Sequence, residues 1–294
     1  MGEATKPHPA VQRWRERLHT AMIGGFRVTY LDEGFGDPVL FLHGIPTQSF
    51  VWRDVISIVD RDYRCIAPDL LGFGFSDRPS SADLSPAGQA VMLTQLLDHL
   101  GIESFVLVAH DYGALVAAEL LKHHPARVVG LVITNTSLWR DDWKGPRASP
   151  MSVLRLPALG EAAFAVARPF MLKQALAFYV EEDERLTPDV MAVYWHPFTT
   201  GFSDTLLRLF RERHLTDTHF HDWRAAVNAF QGPAMVVWGD KDRTFSTRRG
   251  LEISALIPRS RFERFEHANH FLQEDRPEAL GRLIVALVRG QLPV

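Results

Sequence analysis

The sequence predicts an α/β protein with a mainly parallel central sheet flanked by helices and a helical cap inserted into it. Three observations predict this. First, Val39-Leu40-Phe41-Leu42, Cys65-Ile66-Ala67, Phe105-Val106-Leu107-Val108, Val128 to Ile133 and Ala234 to Trp238 are short runs apolar at successive positions, as strands covered on both faces require. Second, helical patterns separate them, and strands alternating with helices imply right-handed crossovers and a parallel sheet. Third, from about Trp139 to Asp222 the alternation stops, and helical or irregular sequence replaces the strand signal.

The elements follow in order. His19 to Asp32, with Gly24-Gly25 inside it, reads as an antiparallel hairpin preceding the parallel part. Leu93, Leu96, Leu97 and Leu100 form one apolar stripe on a helix that starts near Ser85-Pro86 and stops at Gly101. Leu280, Leu283, Ile284, Leu287 and Val288 repeat that spacing between Pro277 and Gly290. Ala162 to Val180 and Leu206 to His214 are helical in pattern, with Pro146, Pro150, Pro157 and Pro169 punctuating the stretch. So long a helical segment exceeds an ordinary crossover and predicts a cap over 139–222 on a core formed by 1–138 and 223–294. A cleft between the two parts is the expected ligand site.

Composition bounds the function. The 294 residues are 46% hydrophobic and 23% charged, which excludes disordered, collagenous and disulfide-scaffold classes. Lys plus Arg is 32 and Asp plus Glu is 35, a net charge of −3, so nothing advertises nucleic acid or anionic lipid. Cys65 is the single cysteine and lies in a buried-strand pattern, which fits an inert core thiol and a cytoplasmic location. Met1 to Arg17 lacks a signal-type apolar run, and no stretch approaches the roughly 18 apolar residues of a membrane span. His219-Phe220-His221-Asp222 lacks the ligand spacing of a metal site.

The most informative segment is Val106-Leu107-Val108-Ala109-His110-Asp111-Tyr112-Gly113-Ala114, a buried strand running into a helix that includes Leu115 to Leu121 and stops before Pro125. A turn this tight strains its central residue and aims that side chain out at the sheet's carboxyl end. It resembles the nucleophile elbow of the α/β-hydrolase fold, with Asp111 where serine is usual. His43-Gly44-Ile45-Pro46 resembles the family's oxyanion-hole turn, Asp69-Leu70-Leu71-Gly72-Phe73-Gly74-Phe75-Ser76-Asp77 its next loop, and His270-Phe271-Leu272-Gln273-Glu274-Asp275 the segment bearing its catalytic histidine.

The resemblance implies a nucleophile, acid, histidine order along the chain. Of the two acid positions in the family, the first holds Asn135, which carries no charge; the second offers Gly239-Asp240-Lys241-Asp242, where the family spacing selects Asp242 over Asp240. Asp111 is then the nucleophile, His270 the general base, and Asp242 the group that orients the imidazole. The backbone N–H groups of Ile45 and Tyr112 are the expected oxyanion donors, Tyr112 is an expected pocket residue, and His43 a structural hydrogen-bonder in that turn; His110 and His267 are supporting residues.

An aspartate nucleophile attacks an sp3 carbon and forms an alkyl ester, which a His270-activated water hydrolyses. That chemistry resembles haloalkane dehalogenases, epoxide hydrolases and fluoroacetate dehalogenase. Tyr112 and Ile45 stand where a dehalogenase would carry its Trp and Asn halide donors, so Trp139, Trp143 or Trp195 would have to serve. Tyr112 and Leu115 stand where arginines would bind fluoroacetate. Ile45 suits an epoxide hydrolase, with Tyr179 or Tyr194 protonating the opened ring, since Phe210 occupies one aligned tyrosine position. The cap segment Met191 to Phe198 and Gly44-Ile45-Pro46-Thr47 look more like dehalogenases. The expectation is therefore a cofactor-independent, metal-free epoxide hydrolase whose partners are water and a small, neutral, apolar substrate, with no nucleic acid or membrane. A haloalkane dehalogenase with an atypical halide site is the alternative, and a weakly catalytic ligand-binding homologue the second.

Overall fold

A computed structural model describes residues 7–143, 154, 156–211 and 215–291. Its strands are β1 (Leu18–Ile23), β2 (Phe26–Glu33), β3 (Pro38–Leu42), β4 (Arg64–Pro68), β5 (Phe105–His110), β6 (Val128–Thr134), β7 (Ala234–Gly239) and β8 (Ser260–Phe265). They form one eight-stranded sheet in the order β1-β2-β4-β3-β5-β6-β7-β8. β1 and β2 make the hairpin foreseen in the sequence, closed by Gly24 and Gly25 at φ 58° and 85°, the left-handed pair that a two-residue hairpin turn requires. β2 pairs antiparallel with β4, and every later pairing is parallel.

The strict alternation of side chains along a strand explains why the inner runs are apolar throughout. Leu40, Leu42, Leu107, Ala109, Leu131 and Ile133 enter the core on one face, with Leu93, Leu96, Val116, Leu120 and Trp223 from the covering helices. Val39, Phe41, Val106, Val108, Val132 and Met235 enter the other, with Trp14, Val55, Ile56, Leu280 and Ile284. The helix Pro86–His99 begins where its sequence signals it, with the Ser85 hydroxyl accepting from the Gly88 N–H at 3.2 Å. The helix Pro277–Val288 likewise matches its stripe.

Two elements lie outside the apolar runs and stripes of the sequence. β8 (Ser-Arg-Phe-Glu-Arg-Phe) is a half-exposed edge strand bonded only to β7, so its charged residues face solvent and it never forms a fully apolar run. The helix Pro9–Glu16 is short and buries only Ala10, Val11 and Trp14.

Between β6 and β7 the described residues hold helices and no strand: Arg140–Trp143, Leu159–Val166, Pro169–Ala177, Pro188–Trp195, Phe202–Arg211 and Asp217–Ala229. The stretch Ala162 to Val180 is divided between two helices, with Pro169 opening the second. Residues 212–214, the end of the second helical pattern, and Pro146 and Pro150 lie outside the described residues. The helix Asp217–Ala229 spans the expected boundary at 222/223 and already rests on the core, Trp223 Nε1 donating to buried Glu119 at 2.8 Å and Lys122 pairing with Asp222 at 2.9 Å.

The inserted helices are tied down over the carboxyl ends of the strands. Gln48 Nε2 donates to the Val193 carbonyl at 3.0 Å, and buried Glu274 accepts the Tyr194 hydroxyl while forming a bidentate pair with Arg53 at 2.6 and 2.7 Å. Such a pair, almost dry, holds its geometry well, and removing one partner leaves a stranded charge.

Gly113, one residue into the helix Tyr112–His123, packs against β3 so closely that a Cβ would lie 2.7 Å from the carbonyl oxygens of both Leu42 and His43. Backbone cannot move aside as a flexible side chain can. Gly113→Ala is expected to lose about 1–3 kcal/mol of stability by overpacking, measured by urea denaturation; an unchanged midpoint would show that helix and strand have room to part.

Candidate active site

The site assembles from the loops that follow β3, β5, β6, β7 and β8. Asp111 is the first residue after β5 and sits at φ 50°, ψ −119°, a strained conformation for a non-glycine residue that costs about 1–3 kcal/mol. Three backbone-level bonds hold it there: its carbonyl accepts from the Thr136 hydroxyl at 2.7 Å and the Ala114 N–H at 3.1 Å, and its N–H donates to the Thr134 carbonyl at 3.4 Å. The neighbouring loop is also specified. A Cβ on Gly44 would meet the Asp111 Cβ at 2.4 Å, so only glycine lets the turn after β3 come this close.

That approach places the Ile45 backbone N–H 2.9 Å from Asp111 Oδ1. Asp111 Oδ2 lies 3.7 Å from His270 Nε2, and His270 Nδ1 lies 3.3 Å from Asp242 Oδ2. All three side chains are buried, although the Asp242 backbone is partly exposed. The carboxylate, imidazole and second carboxylate that the sequence singles out are thus in line, and the imidazole is bracketed by acids on its two nitrogens. Such an arrangement can deliver a nucleophilic carboxylate and a base aimed at water beside it.

Asp242 is fixed from three sides. Its Oδ1 accepts the N–H groups of Thr244 and Phe245 at 2.7 and 3.0 Å, and its Oδ2 accepts Asn135 Nδ2 at 2.7 Å. Asp240 instead receives the Ala268 N–H at 3.5 Å. Gly239 lets this loop meet the histidine loop, for a Cβ there would stand 2.4 Å from the carbonyls of Ala268 and Asn269. Asn135, which sequence reasoning discards because it carries no charge, is therefore a member of the site as a donor to the acid. Its position after β6, the family's other acid position, was the signal that could have found it.

The histidines divide by environment. Burial draws the His270 pKa down, but the carboxylates of Asp242 and then Asp111 outweigh it, so the group ends above its ordinary 6.5. His43 is fully buried with no acid beside it and falls to about 4. Its Nε2 accepts the Leu70 N–H at 3.1 Å, so the proton is on Nδ1, donating to the Gly44 carbonyl at 3.0 Å; it braces the turn that carries Ile45. His110 is held well below 6.5 by burial and by His270, whose carbonyl its Nε2 contacts at 3.0 Å.

The remaining predicted residues scatter. Tyr112 is fully buried, its ring against Phe73 and its hydroxyl donating to the Leu84 carbonyl. Trp143 Nε1 donates to the Ser137 carbonyl at 2.7 Å. The guanidinium groups of Arg249 and Arg224 lie over the Trp139 ring, 4.6 and 5.6 Å from its centre. Trp195 stacks on Phe198. The Tyr194 hydroxyl is committed to Glu274. The Tyr179 ring lies against that of His270, 5.9 Å between centroids.

A fold of this topology with an acid elbow, a histidine and a carboxylate at its sheet edge defines an α/β-fold hydrolase, and the family model described as alpha/beta hydrolase fold matches residues 37–277; the chain belongs to that family. Within it the chain falls in the haloalkane dehalogenase-like branch. The haloalkane dehalogenase of Mesorhizobium japonicum is 33% identical over 88% of this chain and 87% of its own, and the cis-3-alkyl-4-alkyloxetan-2-one decarboxylase of Xanthomonas campestris is 29% identical over 87% and 90%. The crystal structure of haloalkane dehalogenase DbeA from Bradyrhizobium elkani superposes with a TM-score of 0.82 at 31% identity, covering 93% of this chain and 97% of that one. Among the described residues no helix is long and apolar enough to cross a membrane.

Because two carboxylates raise the His270 pKa, its imidazole is expected to titrate above 6.5 in a histidine Cε1–H NMR series, and a step that needs it as base falls as pH drops through that value. Asp242→Asn removes the larger raising charge while burial stays, so the titration moves to lower pH. An unmoved titration would separate Asp242 from His270.

Proposed function

We propose that the protein is a cofactor-independent hydrolase that opens a strained oxygen ring, an epoxide first, through an alkyl ester on Asp111. The observation that carries the reading is the pairing at Asp111: one oxygen held by the Ile45 N–H, the other within 3.7 Å of an imidazole that Asp242 backs. Segment 139–222 serves as the cap that closes over this site, and the substrate class is small, neutral and largely apolar.

The reaction balances with groups in place. A carboxylate oxygen of Asp111 attacks a ring carbon, the ring C–O bond breaks, and Tyr179 protonates the departing oxygen. His270 then takes a proton from water as its oxygen adds to the Asp111 carboxyl carbon. The oxyanion formed there is the enzyme's own, stabilised by the Ile45 N–H and, on the elbow geometry, the Tyr112 N–H. Collapse releases the diol, whose new hydroxyl takes the His270 proton; the proton left on Asp111 restores Tyr179, and one Asp111 oxygen now comes from water.

What separates an oxygen from a halide leaving group is the donor opposite Asp111. The indole N–H of Trp143 is used by Ser137, the Tyr112 hydroxyl by Leu84, and Ile45 brings no side-chain donor, whereas Tyr179 comes against His270. The Xanthomonas relative, named a decarboxylase of an oxetan-2-one, supports only the coarser point that a strained oxygen-containing ring suits a relative of this chain. A haloalkane is the second reading, favoured by the 33% identity to the Mesorhizobium dehalogenase.

His270→Ala is expected to stop at the ester, so intact-protein mass spectrometry after exposure to a panel of terminal epoxides and haloalkanes should show one alkyl adduct, mapped to Asp111. A variant that no member labels would sink the Asp111 ester. Wild type should release diol and no halide; bromide from 1,2-dibromoethane with inert epoxides would install the second reading. Tyr179→Phe should slow ester formation by roughly 10²–10⁴-fold, the span of a lost general acid, and leave hydrolysis of a preformed ester within about twofold, by single-turnover rapid quench.

A further inference from the structure

The motif that ends His270-Phe271-Leu272-Gln273-Glu274-Asp275 holds an acid that the chemistry above leaves unused. Asp275 is buried, and among the described residues no salt bridge to its carboxylate accounts for its being kept there. Its Oδ1 accepts two backbone N–H groups of the inserted segment, Glu181 at 2.8 Å and Glu182 at 3.0 Å, and its Oδ2 accepts the Asn269 N–H at 2.7 Å. One carboxylate thus clamps the insertion to the residue before His270.

Asn269, fully buried, completes the junction. Its Oδ1 accepts the His270 N–H at 2.9 Å and the Arg243 N–H, next to Asp242, at 3.1 Å. Its Nδ2 donates outward to Glu181 Oε1 at 3.0 Å and the Phe178 carbonyl at 3.4 Å. Between those anchors lies Tyr179, whose carbonyl accepts the Phe271 N–H at 3.1 Å. Phe178 to Glu182 is therefore bonded on both flanks to the loops that carry the histidine and its acid.

We propose that Asn269 and Asp275 are positioning residues that register the inserted strip Phe178 to Glu182 on the catalytic loops and so hold Tyr179 against His270. A carboxylate suits this task because three N–H donors converge on it, and an amide in its place would turn an NH2 toward at least one of them. Misplacing a reacting group by about 1 Å costs up to about a hundredfold in rate, so the clamp is worth keeping.

The catalytic half of the proposal rests on the role given to Tyr179 above, and the test separates the two. In single-turnover rapid quench, Asp275→Asn and Asn269→Ala should each slow ester formation about tenfold in the wild-type background. In a Tyr179→Phe background the same changes should cost less than about twofold, since they act through that hydroxyl. A full loss in both backgrounds, or none in either while Tyr179→Phe alone slows ester formation, overturns the proposal. Hydrogen exchange needs no substrate: Asp275→Asn should speed exchange of the Glu181 and Glu182 amides about a hundredfold and leave β5 and β7 unchanged. Unchanged Glu181 and Glu182 exchange overturns the registration even if the wild type opens epoxides, and faster exchange upholds it even if Tyr179→Phe proves fully active and only the role of Tyr179 falls. Should Asp275→Asn fail to fold, Asn269→Ala carries the same comparisons.

Discussion

The hydrogen bond from the Ile45 N–H to Asp111 Oδ1 exists only because two loops approach to a distance that a methyl group would forbid. Asp111 is wound into a left-handed turn, Gly44 leaves room for its side chain, and Gly113 lets the following helix lie on the β3 loop. Strain of this size persists only where the surroundings overdetermine it. Here they do: buried parallel strands on either side fix where β3 and β5 end, and Thr134 and Thr136 fix the Asp111 backbone. The sheet converts packing free energy into the placement of one carboxylate.

The same economy recurs on the other side of the imidazole. Gly239 brings the acid loop against the histidine loop, and Asn135 reaches across from β6 to bond the oxygen of Asp242 that faces His270. A neutral amide there holds the carboxylate without adding a second charge, so His270 feels two acids and is raised by them. A third acid beside it would have pushed its neighbours toward the protonated state. His110 and His43 show what burial does without such partners, and both are kept as uncharged braces.

The inserted helices show where periodicity runs out as a guide. Trp139, Trp143, Trp195, Tyr179 and Tyr194 are equally plausible donors by residue type, and the spacing between them says nothing of which way each ring turns. The fold assigns them by local competition for partners. Ser137 takes the Trp143 N–H, Glu274 takes the Tyr194 hydroxyl, and the arginines take the Trp139 face. Edge strand β8 was hidden for a related reason: its pattern depends on a neighbour present on one side only.

The sequence by itself determined the class of molecule and the three residues at its centre, because those are local statements. Buried strands must be apolar, a tight strand-to-helix turn must carry small residues beside its central one, and that central residue here is a carboxylate where serine would carry a hydroxyl. Only the tertiary structure decided that Asn135 serves the acid, that the Tyr112 hydroxyl goes to the Leu84 carbonyl, and that Asn269 and Asp275 bind the inserted segment to the histidine loop. Each of these joins residues far apart in the chain through hydrogen bonds of about 3 Å, a length at which direction matters and one-dimensional spacing carries none.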